Sequence, residues 1–232
     1  PLRMVGDQVE EGFDLVFDEE LGAGAVATFD ILGDNPATPI TDCPTIGRVA
    51  PGYMETPGFL EMSAIHLLHH GSLHAVDCLE PQMPAFDMFT VVLEVMTMEE
   101  HPLWEGMYLS TFQALPHESL DFVTVADPGY MFGSALFTLY LEERYGAADG
   151  TLLAAIWERT PQEGSVTSWN GELCSGDVDN EPDFLDAVAA ELEARGTSFD
   201  EAFAGFAEWR FFVGDDDDGA HLQGAGAWGG CE

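Results

Sequence analysis

The spacing of apolar residues changes once along this chain, near residue 60, and that change constrains the fold more than any single motif. Before it, apolar residues come in short runs. Phe13-Asp14-Leu15-Val16-Phe17 and Ala25-Val26-Ala27-Thr28-Phe29-Asp30-Ile31-Leu32 predict strands. Between them, Gly22-Ala23-Gly24-Ala25-Val26-Ala27 has the letters of a dinucleotide-binding G-x-G-x-x-A turn. The residues after it read as strand and not helix, so a plain turn is expected there. Asp34-Asn35-Pro36 and Asp42-Cys43-Pro44 mark loops.

From residue 61 the period is helical. Residues 61–78 predict a first helix, with Leu67, Leu68, Leu73 and Val76 as apolar surface and Pro81 and Pro84 beyond its end. Further helices are expected over 86–100, 102–115, 129–145, 149–159, 182–195 and 198–210, with a polar loop over 161–182. Ser198 with Glu201 three residues on reads as a capping box. The expected fold is α+β and predominantly helical. The expected division is a β-rich N-terminal region (1–60), a helical domain (61–213) and an acidic, glycine-rich tail (214–232).

Composition narrows the function classes. The 232 residues are 46% hydrophobic with 16 Phe, enough for a real core. Against 43 Asp and Glu stand six basic residues, all Arg, for a net charge of -37. Such a chain repels nucleic acid and anionic lipid, so neither is expected as a partner. No run is long and apolar enough to span a membrane. The acidic groups are read as a solvation device. Asp177, Asp179 and Asp183, and the run Asp215 to Asp218, do not match a D-x-[DN]-x-[DN]-G calcium loop and are read as solvated loops.

The four cysteines, Cys43, Cys78, Cys174 and Cys231, form no C-x-x-C pair. Two disulfides and four separate buried thiols both remain open. In the disulfide case Cys43 would join Cys78, leaving Cys174 and Cys231. The chain begins at Pro1 without a signal peptide and reads as a fragment or processed chain. An extracellular or cell-envelope location is expected.

Three histidines stand four residues apart: His66, His70 and His74. Imidazoles at i and i+4 share a helix face and can reach one metal ion. Glu94 lies in Val91-Val92-Leu93-Glu94-Val95-Met96, where a carboxylate needs a partner. A metal ion or a histidinium would serve. His66–His70 and His70–His74 are both i, i+4 pairs, and the spacing leaves both open. His69 points about 100° away from His70 and is not expected to ligate.

Three segments resemble gluzincin metallopeptidases, the thermolysin-like and M1-aminopeptidase-like zinc enzymes. His70-Gly71-Ser72-Leu73-His74 is similar to the H-E-x-x-H helix. Leu93-Glu94-Val95-Met96-Thr97 is similar to the helix carrying the glutamate ligand, and Tyr130-Met131-Phe132-Gly133 to the segment bearing an oxyanion-stabilising tyrosine. The stretches Ser198 to Phe203 and Phe206 to Trp209 also resemble exported bacterial proteins of this type.

The resemblance implies a zincin-like helical core, Zn²⁺ on His70, His74 and Glu94, and Tyr130 above a substrate carbonyl. The family's general-base Glu is Gly71 here. General acid–base catalysis is worth about 10²–10⁴-fold, so that departure is severe. Where the family often has another acidic residue, seven after Glu94, this chain has His101. The first expectation is therefore a catalytically inactive metallopeptidase homologue, acting as an exported binding or scaffold domain for a peptide or protein. The alternative is an active zinc hydrolase with Glu99 or Glu100 as base. A third reading is a metal-free structural domain.

Overall fold

A computed structural model describes residues 14–21, 27–31, 42–53, 58–77, 80, 83–120, 129–161 and 182–228. The Gly22–Val26 turn, the Asp34-Asn35-Pro36 loop, Asp177, Asp179, Cys78, Cys174 and Cys231 lie outside these residues. The architecture is mainly helical with one small mixed sheet near the N-terminus, as the change of period predicts.

The sheet has the order β1-β3-β2: β1 is Asp14–Phe17, β2 Ala27–Ile31 and β3 Thr45–Val49. β3 is central, parallel to β1 and antiparallel to β2. The sequence reading stopped at the Cys43-Pro44 loop and missed it. Gly47 and Arg48 interrupt its apolar pattern, yet its β-branched Thr45, Ile46 and Val49 suit a pleated, half-buried surface. Arg48 is neutralised by Asp18, 2.9 Å away across the turn from β1.

α1 is Phe59–His74 and α2 is Met83–Thr97. α1 packs on both β3 and α2. It enters at Gly58, whose φ of 78° suits a residue without Cβ. It ends four residues earlier than expected: the N–H groups of Val76 and Asp77 both turn back to the Leu73 carbonyl and close the last turn. α2 starts earlier than expected, with Pro84 in its first turn, where a missing N–H costs nothing. From Ala85 to Leu93 α2 is buried without a break. A helix buried on every side must be wrapped, and α1, α4 (Gly129–Gly133) and α5 (Ala135–Tyr145) wrap it.

Between α2 and α4 the chain forms a π-helical segment, Trp104–Leu109, running into α3, Ser110–Ala114. The segment sits directly on α4, since a Cβ on Gly133 would lie 2.2 Å from the Tyr108 carbonyl oxygen. α6 is Thr151–Trp157. Its start is held by buried Glu142, which accepts from the N–H groups of Ala147, Asp149 and Leu153. Trp157 Nε1 donates to the Leu73 carbonyl at 2.9 Å and pins α6 to the end of α1. α7 (Phe184–Ala194) is capped by Asp183, and α8 (Phe199–Trp209) carries the predicted Ser198–Glu201 capping box. Val213, Leu222, Ala225 and Trp228 join the same apolar core.

Candidate metal centre

α1 and α2 lie side by side, and the polar residues on their shared face meet in one buried row. On α1 these are His66 and His70, one turn apart. On α2 they are Asp87 and Glu94, two turns apart. His66 Nε2 is 3.0 Å from His70 Nε2 and 3.7 Å from Asp87 Oδ1. His70 Nε2 is 3.2 Å from the same Asp87 oxygen. Two nitrogens and one oxygen thus form a near-equilateral triangle.

That triangle has the size of one face of a zinc tetrahedron. Ligand atoms bonded to a tetrahedral ion at about 2.0–2.1 Å lie roughly 3.3–3.4 Å apart. The separations here, 3.0, 3.2 and 3.7 Å, bracket that value. His66, His70 and Asp87 could together hold a metal ion. His70 and Asp87 are buried, while the His66 side chain keeps 21% of its surface exposed. Phe132 stands edge-on to His66, with ring centroids 6.2 Å apart.

Behind the triangle stands Glu94, 1% exposed. Its Oε1 is 2.5 Å from His66 Nδ1 and its Oε2 is 2.6 Å from His101 Nε2. Burial alone would raise the Glu94 pKa. The hydrogen bonds from His101 and His66 outweigh burial and hold it below the usual value. An ionised carboxylate only accepts, so both facing nitrogens carry protons. The Leu103 N–H donates to His101 Nδ1 at 3.2 Å, which fixes the other end of that ring.

The histidines differ in charge preference. Burial pushes His66 down, but hydrogen bonding and charge from Glu94, with Asp87 behind, leave its pKa raised. His70 is lowered, first by burial and then by the neighbouring His66. His74 is lowered well below the ordinary value by burial, and His69 is pushed down to about 4, again mainly by burial. Neutral imidazole is the metal-binding form.

Of the residues singled out in the sequence, His70 joins the donor triangle. Glu94 lies one bond behind it, on His66 and His101. His74, one turn past His70, lies against Phe86 with ring centroids 4.3 Å apart. Gly71 is partly exposed on α1. Tyr130 is buried against Phe112, and its hydroxyl donates to the carbonyls of Glu118 and Ser119 at 2.9 and 3.0 Å. Glu99 and Glu100 stand exposed just past α2. Asp87 went unread in the sequence. The argument applied to Glu94 would have found it, because Pro84-Ala85-Phe86-Asp87-Met88-Phe89 also places a carboxylate in an apolar run.

A cavity of about 280 Å³ lies elsewhere, lined by Val95, Met96, Leu139, Glu142, Glu143 and Trp228 among others, and by none of the three donors. No helix among the described residues is long and apolar enough to cross a membrane. Comparison with family models, with curated proteins and with solved structures gives no match, so the gluzincin resemblance rests on the motif residues alone.

Proposed function

We propose that this chain is a zinc-binding domain on a zincin-like helix pair, catalytically inactive, and used outside the cell as a binding or scaffold domain. The observation that carries the metal half is the donor triangle of His66, His70 and Asp87. Two imidazoles and a carboxylate are an ordinary zinc donor set, with a fourth position left for water or another ligand. Zinc there would cross-link α1 to α2 and oppose the charge of Asp87 and Glu94. Support for inactivity comes from Leu67, which follows His66 where an H-E-x-x-H helix has its base, and from Gly71 in the same place after His70, from the exposed places of Glu99 and Glu100, and from the Tyr130 hydroxyl, already engaged with two backbone carbonyls.

Titration of chelator-treated protein with Zn²⁺ tests this reading. One ion per chain is expected. At free zinc a hundredfold above Kd the stabilisation is about 2.7 kcal/mol, or roughly 5–10 °C in Tm for a chain of this size. Asp87→Asn and His66→Gln should weaken binding far more than His74→Gln. The motif-based ligand set of His70, His74 and Glu94 demands that His74→Gln be the damaging change. Peptidase activity should stay at background. Zinc-dependent hydrolysis by the unmodified protein would favour the active alternative.

One observation favours a metal-free reading. A charged His66 between Glu94 and Asp87 would satisfy both carboxylates by itself. On that reading the protein takes up no zinc and its Tm ignores the metal.

A further inference from the structure

We infer that Glu94 is not a metal ligand but the positioning residue of the centre, holding His66 in the one tautomer that can bind. The inference rests on the zinc reading above and adds to it the role of a residue pair, Glu94 and His101, that touches no metal.

Both Glu94 oxygens are occupied. One accepts from His66 Nδ1 at 2.5 Å and the other from His101 Nε2 at 2.6 Å. Glu94 meets His66 at Nδ1, whereas His70 and Asp87 gather at His66 Nε2, so the buried carboxylate stands outside the donor group. Its bond to His66 acts on the ring instead. A histidine that donates from Nδ1 keeps the lone pair of its neutral ring on Nε2. His66 Nε2 is the corner of the donor triangle, 3.0 Å from His70 Nε2. Metal-bound histidines commonly give their second N–H to a carboxylate, which fixes the ring and raises its basicity.

His101 completes the arrangement. Its Nδ1 accepts from the Leu103 N–H, so its own proton sits on Nε2 and points at Glu94. Its ring lies edge-on to Tyr108 in the π-helical segment, centroids 5.7 Å apart. A line of hydrogen bonds therefore runs from the Leu103 backbone through His101 and Glu94 to His66. Each member fixes the next, and the last presents a lone pair to the ion.

The experiment compares zinc affinity, measured by competition with a chromophoric chelator, in the wild type, Glu94→Gln, Asp87→Asn, His101→Gln and His101→Leu. Glu94→Gln should still bind one zinc, about 10–100-fold more weakly. At a pH where the ring is neutral, nitrogen NMR of the metal-free protein should show His66 losing its Nδ1–H tautomer in that variant, a change that a merely structural loss would not single out. His101→Gln keeps an N–H for Glu94 and should stay near wild type, while His101→Leu should lose about tenfold. This pair decides the matter if Glu94→Gln fails to fold.

Unchanged affinity in Glu94→Gln, or equal losses in the two His101 variants, would overturn the positioning role. So would loss of binding in Glu94→Gln as complete as in Asp87→Asn, together with a changed Co²⁺ absorption spectrum in a variant still able to load cobalt, because that marks Glu94 as a ligand. Absence of zinc binding in the wild type is a different failure and removes the metal reading itself.

Discussion

Glu191 takes two arginines at once, Arg159 from the end of α6 and Arg195 from the end of its own α7. It is buried, and burial by itself would raise its pKa. The hydrogen bonds from Arg159 and Arg195 outweigh burial and leave it lowered. A carboxyl whose folded pKa lies below the unfolded value near 4.3 stabilises the fold above that value, and the gain is lost as pH falls through the folded pKa. Glu191→Gln should therefore cost about 1–2 kcal/mol at pH 7. In thermal melts the gap from wild type should narrow only below about pH 4. A gap as wide at pH 3 would remove the charge from the explanation. The same chemistry explains what could be read of the candidate metal centre residue by residue. A carboxylate within an apolar run announces itself, and Glu94 did. Its partners were harder, because the choice between His66–His70 and His70–His74 depends on which α1 face meets α2. Spacing within one helix carries no information about that rotation.

At the scale of elements, close backbone approach is the main hidden constraint. Gly133 looks like a helix-weakening residue in the sequence. In the fold it lets α4 lie on the π-helical segment, and an added Cβ would meet the Tyr108 carbonyl at 2.2 Å and Phe112 Cβ at 2.6 Å. Backbone cannot swing aside as a flexible side chain can, so Gly133→Ala should destabilise by about 1–3 kcal/mol despite the better helix propensity of Ala. A Tm at or above wild type would show that the two segments can separate freely. Helices with long apolar periods were legible, as was the Ser198–Glu201 cap, because local rules suffice for them. β3 was not, because five residues with a central Gly47 gain their strand character only from β1 and β2 on either side. The end of α1 bears on the cysteines too. Cys43 is disulfide-bonded, and its N–H donates to the His74 carbonyl at 2.8 Å, which brings it within four residues of Cys78 in the chain. A Cys43–Cys78 bridge is the expected outcome of non-reducing peptide mapping. Breaking it should cost roughly 2–4 kcal/mol, and four reactive thiols in the denatured, unreduced protein would exclude any bridge.

For the whole molecule the governing quantity is a net charge of -37 carried by 232 residues. The fold class was legible because the core is ample and helical periods dominate. The charge leaves no such trace in the architecture but bears on stability in every buffer. Only six arginines are available to offset 43 carboxylates. Arg48, Arg159 and Arg195 are engaged with Asp18 and Glu191, while Arg210 lies over the Phe112 ring, 4.5 Å from its centroid. Acidic groups therefore outnumber basic ones about sevenfold. Folding brings those charges closer than the unfolded chain holds them, so their repulsion opposes the compact state. Salt screens exposed charges over about 8–10 Å at physiological ionic strength and over about 3 Å at 1 M. Tm should therefore rise steadily from low salt to molar NaCl. The largely buried row of His66, Asp87, Glu94 and His101 should respond little to NaCl, since buried and partly buried pairs are screened far less than exposed ones. Added zinc should also raise Tm but differently, with a stabilisation that saturates at one ion per chain and survives in high salt. Melting curves across NaCl, with and without zinc, separate the two effects. A Tm that stays flat in NaCl would mean that the acidic surface is too dispersed to repel itself, and a zinc effect that vanished in molar salt would mean that the metal screens the surface without occupying the triangle.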